Sequence, residues 1–124
     1  MPASPTFAMP AETQSKTTKT GLRYEVVQSG TGKAPKSSDR VTVHYAGWTT
    51  GGKLFDSSYQ RGQPATFGLS QVIRGWTEGL QLMQEGAIYK FVIPPGLAYG
   101  ASGAPPTIGP NETLLFQVEL IKVG

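Results

Sequence analysis

The stretch Val72-Ile73-Arg74-Gly75-Trp76-Thr77-Glu78-Gly79-Leu80-Gln81-Leu82-Met83 carries the clearest helical pattern in the sequence. At about 3.6 residues per turn, its large apolar residues fall on one side of a helix: Ile73, Trp76, Leu80 and Met83. Gly75 and Gly79 each lower helix propensity by about 1 kcal/mol relative to Ala. Their spacing favours close approach of another backbone, which a sheet is expected to supply. Trp76 then lies where helix meets sheet, either as plain core or as the floor of a site.

Alternation of apolar and polar residues on both sides of this helix predicts β-strands. The predicted strands are residues 22–27, 40–48, 54–58, 66–69, 87–93 and 113–123. One short helix cannot cover both faces of such a sheet, so the sheet is expected to curl around it and leave one face in solvent. The predicted fold class is α+β, with a curved antiparallel sheet of about five strands wrapped around one short α-helix. Gly86 fits the C-cap of that helix.

Length and composition fit one globular domain. The chain has 124 residues and a formal net charge of +3. Its Lys and Arg residues are scattered, so no nucleic-acid partner is expected. The absence of Cys excludes disulfides and thiolate metal sites. No apolar run approaches the roughly 18 residues of a membrane span.

The first 20 residues differ from the rest in composition. They mix Pro, Thr, Ser and Ala without a period, which predicts a flexible extension over residues 1–20 and a domain over residues 21–124. A linker or a membrane-proximal stalk is the alternative. The sequence as it stands begins with neither the basic nor the apolar region of a signal peptide. A cytoplasmic protein is therefore expected, with a mature periplasmic or secreted form, its signal removed, as the alternative.

A hydrolase is the catalytic alternative that single residues suggest. His44, Asp56 and Ser57 or Ser58 could supply a Ser-His-Asp triad. The sequence lacks the G-x-S-x-G turn that presents such a serine, and a lone strand histidine is more often structural. A single histidine also excludes a His-rich metal site. No metal or cofactor is expected.

An aromatic and apolar set is spread over separate parts of the chain. Its members are Tyr45, Phe55, Asp56, Val72, Ile73, Trp76, Tyr99, Ile108 and Phe116. If the sheet wraps the helix, these side chains can converge at one end of it, as core packing or as a pocket. Tyr45 and Tyr99 bear on that choice because a buried phenol needs a hydrogen-bond partner. Asp56 is expected to pair with a cation such as Arg61 or to line a cleft, because an unpaired buried carboxylate costs several kcal/mol.

At these residues the sequence resembles the FKBP family of peptidyl-prolyl isomerases, over roughly residues 21–124. The resemblance rests on five blocks in order: VHYAGW around Tyr45, GGKLFDSS around Asp56, QVIRGWTEGLQLM around Trp76, LAYGASG around Tyr99 and NETLLFQVEL around Phe116. It implies a half-barrel with an apolar pocket between sheet and helix. It also implies a cofactor-independent peptidyl-prolyl cis-trans isomerase that acts on proline-containing peptides and unfolded protein clients. Rapamycin-like macrolides as ligands and a monomeric state complete what it implies.

Carried over position by position, the resemblance assigns roles to the set. The implied catalytic residues are Asp56, Tyr99 and Ile73, with the Tyr99 hydroxyl and the Ile73 N–H as donors to substrate carbonyls. The predicted substrate-binding residues are Tyr45, Phe55, Val72, Trp76, Ile108 and Phe116; Ile108 is added from the long irregular segment 94–112. Trp76 is the implied floor beneath the proline ring.

Several positions depart from the family pattern. Ala65 stands where a Phe wall is common, and Ala104 and Thr107 replace bulkier groups. The segment Leu69–Gln71 before the helix is about two residues shorter. A more open pocket rim is therefore expected on that side. It leaves a second hypothesis open, in which the pocket binds proline segments as a chaperone module without meaningful catalysis.

Overall fold

The computed structural model describes residues 5–10 and 15–124. Within them, seven strands form one antiparallel sheet in the order β1-β2-β6-β7-β3-β4, with β5 paired to β3. The strands are β1 Lys16–Thr17, β2 Arg23–Gln28, β3 Arg40–Thr49, β4 Leu54–Ser57, β5 Ala65–Gly68, β6 Ile88–Ile93 and β7 Leu114–Val123. The α-helices are α1 Ser58–Arg61 and α2 Arg74–Leu80, and 3-10 turns span Leu69–Gln71 and Pro95–Leu97. Neither α-helix of this described part is long and apolar enough to cross a membrane.

The centre of the sheet is the pair of ten-residue strands β3 and β7, which are paired from Val41 opposite Val123 to Thr49 opposite Leu114 with one register shift between Thr42 and Val43. The sheet side chains that point toward α2, such as Phe91, form the main core together with buried residues of α2, such as Trp76. Those on the outer face form a smaller cluster around Trp48. The predicted α+β fold, a curved antiparallel sheet around one main short helix, is confirmed.

Two local expectations are wrong. Residues 58–61 form the one-turn helix α1 rather than a strand end and a loop. The Ser57 hydroxyl accepts the Gln60 N–H at 3.3 Å, and Gly62, at φ +78°, closes the turn in the left-handed region. Such a short-range cap outweighs the strand pattern that precedes it.

The main helix is also shorter than its apolar pattern predicts. Val72 and Ile73 have extended ψ angles of 173° and 150°, so the helix begins at Arg74. It ends at Leu80, and its C-cap is Gln81 rather than Gly86. Gly86 instead lies in the turn before β6, where its φ is +94° and its N–H donates to the Leu120 carbonyl at 2.8 Å.

Gly75 and Gly79 lie where the helix contacts β6. A Cβ on Gly75 would lie 2.5 Å from Cγ2 of Ile93, and one on Gly79 would lie 2.7 Å from Cε1 of Phe91. The close neighbours are therefore side chains, not the backbone that the sequence pattern suggested. The two glycines let α2 lie directly on the large apolar residues of β6.

Replacing Gly75 with Ala is expected to destabilise the fold despite the better helix propensity of Ala. Ile93 is fully buried and its Cγ2 cannot swing away, so overpacking costs about 1–3 kcal/mol. The propensity gain of about 1 kcal/mol offsets only part of this loss. Urea unfolding measures the difference, and Gly96→Ala, whose Cβ would meet no atom within 4 Å, is the control. A Gly75→Ala variant as stable as the control would contradict the packing described.

Part of the predicted N-terminal extension lies against the outer face of the sheet. The Phe7 ring packs edge-on against Trp48 at 6.1 Å between centroids. Arg23 donates to the Pro10 carbonyl at 2.7 Å, and Lys90 donates to the Ala8 carbonyl at 3.1 Å. Residues 5–10 therefore cross β2, β6 and β3 and cover the cluster around Trp48. The sheet itself begins at β1, before the boundary predicted at residue 21, while residues 1–4 and 11–14 of the predicted flexible extension lie outside the described residues.

Replacing Phe7 with Ala is expected to lower the stability of the whole domain. Half-burial of a phenylalanine ring contributes about 1 kcal/mol, which corresponds to a fall in Tm of roughly 3–5 °C. Thermal unfolding measures it, with the neighbouring exposed Thr6→Ala as control. An unchanged Tm in Phe7→Ala would show that the segment contributes nothing to the fold.

Candidate functional site

A cavity of about 450 Å³ opens between the start of α2 and the concave face of the sheet. Its lining residues are Tyr45, Phe55, Asp56, Phe67, Gln71, Val72, Ile73, Trp76, Tyr99 and Phe116. They come from β3, β4, β5, α2 and its approach, the segment after the second 3-10 turn, and β7. Every residue predicted for the site lines the cavity except Ile108.

Trp76 lies at the centre of the aromatic rings that line this cavity. Three aromatic rings meet it nearly edge to face: Tyr45 at 5.1 Å, Phe67 at 5.6 Å and Phe116 at 5.3 Å between centroids. Only 4% of its surface is exposed, and its Nε1 is buried without a hydrogen-bond partner among the described residues. Interlocked rings of this kind have few alternative rotamers, so the site presents a fixed apolar surface.

One polar network occupies the wall beside that surface. Arg61 donates to Oδ1 of Asp56 at 2.6 Å, and the Tyr45 hydroxyl donates to Oδ2 at 2.5 Å. Arg61 also donates to the Tyr45 hydroxyl oxygen at 2.8 Å, with its guanidinium over the Tyr45 ring. The one-turn helix α1 makes this triangle possible because it brings Arg61 back toward Asp56. The expectation that Asp56 pairs with Arg61 is confirmed.

The network fixes the protonation of its phenol. Burial, followed by the hydrogen bond to Asp56, raises the pKa of Tyr45 to about 12. Tyr45 is therefore a neutral donor throughout the neutral range. Both Asp56 oxygens already accept a hydrogen bond, Oδ1 from Arg61 and Oδ2 from Tyr45, so neither is a free nucleophile.

Besides the Trp76 Nε1, the Tyr99 hydroxyl and the Ile73 N–H are donors at the cavity with no protein acceptor within the described part of the chain. The Tyr99 side chain is 40% exposed, and its hydroxyl makes no hydrogen bond there. Burial and then the negative charge of Asp56 raise the pKa of Tyr99, so this hydroxyl also stays protonated. The Ile73 N–H precedes the first turn of α2 and is likewise unpaired, while the Ile73 carbonyl accepts from Trp76 and Thr77 at 2.9 and 3.1 Å.

The geometry around His44 argues against the hydrolase alternative. His44 Nδ1 lies 2.8 Å from the Ser58 hydroxyl, whereas a Ser-His-Asp triad joins the serine to Nε2 and the acid to Nδ1. Ser58 is also fully buried, and its oxygen accepts the Tyr45 N–H at 2.7 Å. Asp56 is bound to Tyr45 and Arg61 rather than to His44. The histidine and serine therefore anchor α1 to β3.

The observed lining of the cavity differs from the predicted set at three residues. Ile108 is 4% exposed, packs in the main core and exchanges backbone hydrogen bonds with Ala104 at 2.8 and 3.0 Å. Phe67 and Gln71 line the cavity and were not predicted. Phe67 could have been found, because it is two residues from Ala65 on the same strand and so shares a face with that rim position.

The sequence profile described as FKBP-type peptidyl-prolyl cis-trans isomerase matches residues 31–121. The chain belongs to this family. The FKBP-type chain is 56% identical over 108 residues, 87% of its length, to Peptidyl-prolyl cis-trans isomerase Mip of Coxiella burnetii. It is 50% identical over 103 residues, 83% of its length, to a Legionella longbeachae relative named Outer membrane protein MIP. The crystal structure of FkpA from Escherichia coli superposes with a TM-score of 0.87 at 54% identity over 90% of the chain.

These relatives are longer than the FKBP-type chain. The chain covers 47% of the Coxiella protein, 44% of the Legionella protein and 52% of the Escherichia coli structure. The similarity therefore concerns the domain that holds the aromatic cavity.

Proposed function

We propose that this FKBP-type chain accelerates cis–trans isomerisation of Xaa-Pro peptide bonds. The observation that carries the proposal is an apolar cavity with Trp76 at its floor and an acid, Asp56, already bound by Arg61 and Tyr45. Such a site offers shape and apolar surface to its ligand rather than a free nucleophile. Rotation about an amide bond requires nothing more.

The chemistry follows from the electronic structure of the amide. A planar amide resists rotation by about 18–20 kcal/mol because conjugation is lost on twisting. The twisted carbonyl is also less polar than the planar one. An apolar cavity therefore disfavours the planar form relative to the twisted one, and a cavity shaped for the twisted form adds differential binding.

The polar residues then have positioning roles. The Ile73 N–H and the Tyr99 hydroxyl are free donors at the cavity, and each can bond one carbonyl of a bound peptide. Asp56 accepts the hydrogen bond of the Tyr45 hydroxyl and so fixes the Tyr45 ring in its edge-to-face contact with Trp76. Tyr45, Phe55, Val72 and Phe116 are the proposed walls around the proline ring. Ile108 would act from behind these walls, by packing.

Exchange NMR on an Ala-Xaa-Pro-Phe peptide tests the proposal. Uncatalysed exchange takes tens to hundreds of seconds, so micromolar protein should bring cis and trans resonances into measurable exchange. Line broadening without faster exchange would instead support the second hypothesis, in which the cavity binds proline segments without meaningful catalysis. The absence of Ala65 from the cavity lining favours that hypothesis. A peptide that neither binds nor exchanges would contradict both.

Replacing Tyr99 with Phe is expected to lower kcat/KM about 5- to 10-fold while stability stays nearly unchanged. A hydrogen bond contributes about 1 kcal/mol net, and this hydroxyl has no protein partner to lose. Peptide exchange and urea unfolding are measured on the same sample. Tyr24→Phe, whose ring stacks on Tyr89 and does not line the cavity, is the control. Equal effects of the two variants on kcat/KM would remove Tyr99 from the site.

The setting of the reaction is also proposed. Proline-containing segments of unfolded proteins are the substrates that an open cavity of this size fits, and rapamycin-like macrolides are proposed ligands of the same surface. We further propose that the domain acts as a monomer. We also propose that it works in the cell envelope, as the name of the Legionella relative, Outer membrane protein MIP, suggests. The prediction of a cytoplasmic protein finds no support in that name.

A further inference from the structure

A second groove runs along the outer side of α2. Its volume is about 520 Å³, similar to that of the aromatic cavity. Its walls come from the exposed side of α2, the 3-10 turns on either side of it and Thr20. Val72 lines both the groove and the cavity. The two spaces therefore adjoin at this residue.

The backbone at this junction suits an extended ligand. Val72 has φ −113° and ψ 173°, and Ile73 has ψ 150°, so both residues are extended. The Ile73 N–H has no acceptor within the described part of the chain. A peptide that leaves the cavity here can run beside this segment as an added strand does beside a sheet edge. Its residues beyond the proline then enter the groove.

The groove has an ordered charge pattern. Arg74 lies at the end beside Val72, where its guanidinium donates to the Gly96 carbonyl at 2.5 Å. The one ion pair among the described residues is Arg61 with Asp56, so no carboxylate lies within ion-pair distance of Arg74. Glu78 lies one helical turn further along α2 and accepts from Thr20. A peptide that leaves the cavity meets the positive charge first.

We propose that the groove is an extension of the peptide site in which Arg74 selects an acidic side chain close to the substrate proline. The proposal rests on the proposed function, because it requires a proline segment in the aromatic cavity. A guanidinium can bond a carboxylate through two parallel N–H···O contacts, and the groove leaves Arg74 exposed to receive one. A lysine at the same peptide position would meet repulsion.

The expected preference is modest because the pair is exposed. Solvent-exposed ion pairs correspond to about 1.5- to 5-fold in affinity. The preference for Glu over Lys should shrink as salt is raised, because exposed charges are screened. The formal charge of +3 would also favour acidic peptides without any specific contact, so a control of matched charge is essential.

The experiment compares peptides that differ in one side chain. Glu, Gln or Lys is placed two or three positions from the proline, on either side, and kcat/KM and Kd are measured for each. The protein is compared with Arg74→Gln, with Arg74→Glu and with the control Lys53→Glu. Lys53 is exposed in the turn between β3 and β4 and lines neither space. The readout is the Glu-to-Lys ratio within each variant, which cancels any general loss of activity.

The proposal expects a Glu-to-Lys ratio above one on one side of the proline, abolished in Arg74→Gln and reversed in Arg74→Glu. Lys53→Glu should keep the original ratio. A ratio of one in the unsubstituted protein, or equal shifts in Arg74→Glu and Lys53→Glu, would overturn the selective role of Arg74 while leaving isomerisation standing. If no peptide isomerises, the proposed function fails, and the Kd ratios still decide whether Arg74 selects the ligand.

Discussion

Replacing Trp76 with Leu is expected to lower kcat/KM for an Xaa-Pro peptide by roughly 50-fold. The proline ring carries three methylene groups, each worth about 0.8 kcal/mol when buried, and Trp76 is the surface proposed to bury them. Leu keeps the position apolar but removes the flat face. The three surrounding rings also lose the partner that holds them edge to face. Shape and apolar contact should therefore fail together.

The same change destabilises the fold, so activity and stability must be separated. Full truncation of a buried tryptophan to Ala costs about 3–5 kcal/mol, a large part of the 5–15 kcal/mol that holds a domain together. Leu80→Ala is the matched control. Leu80 lies on the same helix, is fully buried and does not line the cavity, and its truncation costs about 2–5 kcal/mol. If Trp76→Leu and Leu80→Ala lose stability and activity in the same proportion, Trp76 is core rather than floor.

Replacing Asp56 with Ala is expected to give the second-largest loss, about 10-fold in kcat/KM. The change removes the acceptor of both the Tyr45 hydroxyl and Arg61. A hydrogen bond to a charged group contributes about 1.5–3 kcal/mol. The Asp56 and Arg61 side chains are 41% and 48% exposed, so solvent screening places the loss of stability near the lower end of that range. Tyr45 is then free to turn away from Trp76.

A double-mutant cycle with Tyr45→Phe isolates this positioning role. If Asp56 acts on the cavity through the Tyr45 hydroxyl, Asp56→Ala should add little to the kcat/KM loss already caused by Tyr45→Phe. Residues in one hydrogen-bond network show coupling of about 0.5–3 kcal/mol, whereas independent residues are additive within about 0.5 kcal/mol. Asp56→Asn keeps the size of the side chain and loses its charge. Its kcat/KM should lie between that of the unsubstituted protein and that of Asp56→Ala. Strictly additive losses would contradict the proposed link.

Periodicity predicted the parts of the fold that depend on long, regular patterns. Alternation on β3 and β7 placed Tyr45 and Phe116 on the concave face, and the helical pattern placed Trp76 toward them. These side chains are positioned by the pleat of a strand or the turn of a helix. Their convergence therefore follows once the sheet curls.

Short-range and long-range contacts limited the prediction elsewhere. The bounds of α2 depend on backbone angles at Val72 and Ile73 that an apolar pattern does not encode. Ile108 is an apolar residue in an irregular segment. Its backbone bridge with Ala104 directs its side chain toward the core, and an apolar pattern does not predict that bridge. The contact of Phe7 with Trp48 joins parts of the chain whose local composition gives no sign of each other.

The charge network beside the cavity lies between these cases. The prediction that Asp56 pairs with Arg61 rested on closeness in sequence and on the cost of an unpaired buried carboxylate, although the Asp56 side chain is 41% exposed in the structure. The third member, the Tyr45 hydroxyl, required the actual geometry of α1, because that single helical turn sets where the guanidinium lies.

The central claim is that an aromatic cavity rotates an Xaa-Pro bond without proton transfer. The most direct measurement is peptide cis–trans exchange by NMR, with micromolar protein, in H2O and in D2O. We predict exchange much faster than in peptide alone, with equal catalysed rates in the two solvents, because no proton moves in the rotation. No acceleration in H2O, or a catalysed rate clearly lower in D2O than in H2O, as for a step with proton transfer in the transition state, would contradict it.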